Sequence, residues 1–63
     1  MTLDEIKQAI RDGKKVYWSK ESYEVIRDSI GQYLICHENG NIIGLTWRDG
    51  VTLNGREDQF FTK

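Results

Sequence analysis

The chain has 63 residues, 38% of them hydrophobic and 30% charged, with a formal net charge of −1. A chain of this length buries only about 60% of the surface its unfolded form exposes, so it makes one small domain with a marginal core. The composition excludes a disordered chain, no apolar run approaches the roughly 20 residues of a membrane span, and interspersed charges disfavour a strong non-specific grip on nucleic acid or anionic lipid.

The first element is a helix, expected over about residues 2–12. Thr2 with Glu5 three residues on is a capping box, in which each side chain satisfies an amide left unpaired by the first turn. Leu3, Ile6, Ala9 and Ile10 then recur at helical spacing as one apolar stripe. So short a helix does not persist alone, and its stripe must dock on the rest of the chain.

A β-meander is expected over about residues 15–53. Lys15 to Ser19 and Tyr23 to Asp28 read as strands joined by a polar loop, Ser19 to Ser22. Asp28-Ser29-Ile30-Gly31 is the next turn, and Asn39-Gly40 is a strong two-residue hairpin signal. With those loops, Val25 faces Leu34, Leu34 faces Leu45, and one apolar face collects Val16, Trp18, Tyr23, Val25, Leu34, Cys36, Ile43, Leu45 and Trp47. Val51 to Leu53 reads as a short fifth strand. A turn or short helix over about residues 55–61 then presents Phe60 and Phe61. The expected class is α+β: an N-terminal helix packed on a twisted antiparallel meander of four to five strands, in the manner of an SH3-like half-barrel.

Chemistry finds little purchase. Cys36 and His37 are the only thiol and the only imidazole, and consecutive strand residues point to opposite faces, so they cannot easily share a proton or a metal. Cys36 is expected in the core and His37 partly exposed. No spaced set of Cys and His matches a structural zinc site, and no glycine-rich phosphate motif occurs. No catalytic, cofactor or metal residue is assigned, and the expectation is a protein that is not an enzyme. A lone cysteine and an acidic N-terminus without the basic-then-apolar layout of a signal peptide point to a reducing cytoplasm.

The second sheet face is expected to show Tyr17, Ile26, Tyr33, Ile35 and Ile42, with His37 at its margin, and a dent at Gly44 opposite Ile35. That is more apolar surface than a monomer usually leaves in water, so these residues form the candidate interface for a protein partner or a second copy, a homodimer. Cover by the Phe60-Phe61 segment is the competing reading. The alternative function is a weak nucleic-acid binder using Lys14, Lys15, Tyr17, Arg27 and Arg48, disfavoured because Glu24, Asp28 and Asp49 dilute the local field.

The block Gly44-Leu-Thr-Trp-Arg-Asp-Gly-Val-Thr-Leu-Asn-Gly55, with Glu57 to Phe61, Lys15 to Trp18 and Gly31 to Tyr33, resembles short proteins carried by bacteriophages and mobile elements. The resemblance implies a bacterial host cytoplasm and an accessory or host-modulating role, and carries over no catalytic residue.

Overall fold

The fold is described by a computed structural model covering residues 1–63. It begins with helix α1, Leu3–Arg11, closed at its start by the expected capping box. The Thr2 amide donates to Glu5 Oε1 at 2.8 Å, and the Glu5 amide donates to Thr2 Oγ1 at 3.2 Å. Asp4 and Glu5 lie at the positive end of the helix dipole and Arg11 at the negative end. Ile6 and Ala9 are the buried members of the stripe.

Five strands follow: β1 Val16–Trp18, β2 Lys20–Arg27, β3 Tyr33–His37, β4 Ile42–Gly44 and β5 Phe60–Thr62. All neighbouring pairs are antiparallel, in the order β4-β3-β2-β1-β5. The class is therefore α+β with one helix on a five-stranded antiparallel sheet, and a last strand returning beside the first is compatible with an SH3-like half-barrel. The core consists of Ile6, Ala9, Val16, Val25, Ile35, Leu45 and Phe60, so α1 lies on the sheet face that carries Val16, Val25 and Ile35.

The sheet departs from the expected register in one consistent way. Val16 faces Val25 as expected, but Val25 faces Ile35 rather than Leu34, and Leu34 faces Gly44 rather than Leu45. Both slips have the same cause. Asp28 and Gln32 close a three-residue loop, with the Gly31 amide donating to the Asp28 carbonyl at 3.1 Å. His37 and Asn41 close another, with the Gly40 amide donating to the His37 carbonyl at 2.9 Å. Gly31 and Gly40 take positive φ (88° and 98°) whereas Asn39 does not, which is a type I turn followed by a left-handed glycine, not a type I′ turn. Each loop is one residue longer than expected, and together they shift β4 by two residues, which restores its expected face. Only β3 is turned over. Tyr33, Ile35 and His37 face the helix side, while Leu34 and Cys36 face outward.

Three further expectations are corrected. The polar loop at Ser19 to Ser22 is absorbed into β2: only Ser19 separates the strands, at φ 65°, and pairing jumps from Tyr17–Glu24 to Trp18–Lys20 across a bulge. Val51 to Leu53 supplies no strand, only a single bridge between Leu53 and Thr46. The fifth strand is formed instead by Phe60–Thr62, entered through a 3-10 turn at Glu57–Gln59. Trp47, expected at the core edge, is 63% exposed.

Candidate functional site

No helix lies on the face of the sheet away from α1. Across it, backbone pairing lines up Phe61, Tyr17, Glu24, Cys36 and Ile42, one from each strand, with Ile26, Leu34 and Gly44 forming a second row. Alternation along each strand places both rows on one side. None of these side chains belongs to the core or packs against it. Ile42 is 58% exposed and Ile26 36%, while Tyr17, Leu34, Cys36 and Phe61 are half-buried by one another. The Tyr17 and Phe61 rings lie 5.6 Å apart.

Of the expected interface residues, Tyr17, Ile26 and Ile42 stand on this face. Tyr33, Ile35 and His37 do not, because β3 is inverted. Ile35 is 1% exposed and cannot meet a partner. Tyr33 lies under α1, where the Lys7 ammonium sits 5.4 Å from its ring centroid. His37 packs at a tilt against Tyr23 with centroids 4.3 Å apart, and its Nδ1 accepts the Asn39 amide at 3.2 Å. Leu34, Cys36 and Phe61 take their places. The missed signal was the Asp-x-x-Gly spacing at Asp28 to Gly31, which favours a type I turn. The Phe60-Phe61 segment does not fold over the face. It extends it, burying Phe60 inward and placing Phe61 beside Tyr17.

The face carries one charge in its middle. Glu24 is half-buried, and no ion pair or hydrogen bond engages its carboxylate, since the two salt bridges join Arg56 to Asp58 and Lys63 to Glu21. Cys36 and His37 project to opposite sides of β3. No group of three or more His, Cys, Asp or Glu side chains converges in a metal-binding arrangement.

The alternative cationic set is dispersed. Lys14 and Lys15 precede β1, whereas Arg48 follows β4, with β2 and β3 between those strands. Tyr17 faces outward and Arg27 shares the helix side with its cross-strand partner Tyr33.

At the β4 end of the face, and sharing Leu34 and Gly44 with it, lies a shallow cleft of about 330 Å³ lined also by Tyr33, Thr46, Trp47 and Arg48. Gly44 faces Leu34 rather than Ile35, and in place of a dent the Thr46 carbonyl lies 3.2 Å from where its Cβ would stand. The loop after β4 is held over it by the Asn54 side-chain amide, which donates to the Gly44 carbonyl at 3.2 Å. Asp49 braces the same loop, accepting the Val51 and Thr52 amides at 2.9 Å each and the Thr52 hydroxyl. Those bonds, the Thr52 hydroxyl first, hold the Asp49 carboxyl below its usual range.

No family model, curated protein or solved structure matches this chain.

Proposed function

We propose that the protein is a non-enzymatic binding module that acts through the sheet face away from α1, and that a second copy of the chain is its first partner. The observation that carries this reading is the apolar surface formed by Ile26, Leu34, Cys36 and Ile42, continued on the far side of Glu24 by Tyr17 and Phe61. Contiguous apolar surface of this kind typically marks an interaction site. Only seven of 63 residues are buried within one chain. Small domains with so little core commonly gain stability by oligomerising. The divergence of Cys36 from His37 supports a binding role over nucleophilic catalysis. The resemblance to phage and mobile-element proteins supports an accessory role in a bacterial host cytoplasm.

Sedimentation velocity on the wild type and on Leu34→Glu tests the reading. A wild-type dimer that becomes a folded monomer in the variant is the expected result. A wild type that stays monomeric across the concentration range overturns self-association through this face.

A further inference from the structure

The cleft at Trp47 has features that the apolar face does not explain. Trp47 is the largest exposed aromatic of the chain, and Arg48 beside it has no carboxylate partner. Tyr33 on the opposite wall carries Lys7 over its ring and Arg27 as its cross-strand neighbour. The Arg27 guanidinium reaches Gly31, next to Gln32 on the rim. Neither Lys7 nor Arg27 forms a salt bridge.

The nearby acids are held in their own turns by neutral donors and keep their charge. Asp49 is bound within its own loop, and Asp28 Oδ1 accepts the Ile30 and Gln32 amides at 3.0 and 2.8 Å. No carboxylate lines the cleft. Arg48 is thus the one charged residue in the lining of the cleft, which Trp47 and Tyr33 also line. The other surface cleft, about 280 Å³, is lined by Glu5 and Asp12 together with Lys14 and has no aromatic wall.

We propose that the Trp47 cleft binds a nucleotide unit, its base stacked on the Trp47 indole and its phosphate held by Arg48, with Lys7 and Arg27 attracting the next phosphates. Stacking on an aromatic platform combined with cations along the backbone is how unpaired nucleotides are held without sequence readout. Lys14 and Lys15, the cations singled out from the sequence, take no part. The cleft shares Leu34 and Gly44 with the edge of the self-association surface, so the two readings are separated by Trp47→Ala and Arg48→Glu, which leave that surface unchanged.

The test is heteronuclear NMR titration of the full chain with adenosine monophosphate and with a short oligothymidylate at low salt. Shifts centred on the Trp47 indole N–H and the Gln32 and Thr46 amides are expected. Arg48→Glu and Trp47→Ala should each weaken binding by roughly tenfold, the order seen when one stacked base is lost. Three cations predict a log–log salt slope of about −2 for the oligonucleotide. Equal affinity for both probes identifies a free nucleotide as the ligand, and much tighter binding of the oligonucleotide identifies a single strand. Both variants alter residues outside the core, so circular dichroism should show them folded. Absence of cleft shifts with either probe at millimolar concentration overturns the proposal. So does a loss on Lys14→Glu/Lys15→Glu as large as that on Arg48→Glu.

Discussion

Val25 and Ile35 stand opposite each other across the β2–β3 ladder and are both buried, while Ile26 and Leu34, one step along each strand, face the other way. A single position therefore separates core from contact surface. Ile35→Glu should cost about 3 kcal/mol or more, since it buries an unpaired charge, and should leave an unfolded chain. Leu34→Glu should stay folded but lose association, melting at a lower temperature that no longer depends on protein concentration. Circular dichroism melts paired with sedimentation distinguish the two outcomes, and an Ile35→Glu protein that stays folded would falsify the observed register.

Phe60 and Phe61 allow the same contrast on the edge strand. Phe60 is a core residue and its ring lies 6.4 Å from that of Trp18. Phe60→Ala should lose about 3–5 kcal/mol in urea denaturation, the range for a large buried aromatic. Phe61→Ala, which removes a half-exposed ring, should lose about 1 kcal/mol.

Gly55 is held close to Trp18. A Cβ there would lie 2.8 Å from the indole Nε1, and its φ of 146° is one that side chains rarely adopt. The displaced indole would have to leave Gln59 Oε1, which accepts its N–H at 3.2 Å and also the Arg56 amide at 2.9 Å. Gly55→Ala should therefore loosen the 3-10 turn leading into β5, at a cost of about 1–3 kcal/mol. A red-shifted tryptophan emission with a lowered urea midpoint is the expected signature.

Asp49 sets an acid limit on the loop after β4. Its folded-state pKa is lowered, so its contribution is present above the unfolded aspartate value of about 3.9 and is lost as pH falls through the lower, folded value. Trp47 emission should change as acid releases the loop, before the far-ultraviolet signal collapses. Asp49→Asn should abolish that early step and leave the later one, in which Glu5, lowered by its bonds to Thr2, also takes part.

The sequence was most legible where local chemistry decides structure. The capping box at Thr2 and Glu5, the stripe containing Ile6 and Ala9, and the pairing of Val16 with Val25 are all as their residue patterns require. What misled was loop length. Asn39-Gly40 does mark a corner, but the His37 carbonyl accepts the Gly40 amide, and His37 Nδ1 and Asn39 Oδ1 accept further turn amides. Those local acceptors stabilise the longer loop, and nothing in apolar alternation reveals them. Because β3 is apolar on both sides, Ile35 and Leu34 suit the core equally well, so hydrophobic pattern alone could not resolve its orientation. The β1–β5 pairing was invisible for another reason: it joins distant segments without a turn between them.

That last pairing has a kinetic consequence. Trp18 and Gln59 touch although they stand 41 positions apart, and the strand beyond Gln59 delivers Phe60 to a core otherwise assembled from earlier segments. Hairpins β2–β3 and β3–β4 zip locally, but the sheet gains its outermost ribbon only after a long excursion of chain is reeled in, a search whose entropic toll is met before any contact rewards it. The domain should collapse late and all at once, spending its growth on the ribosome as loosely joined hairpins until Phe60 arrives.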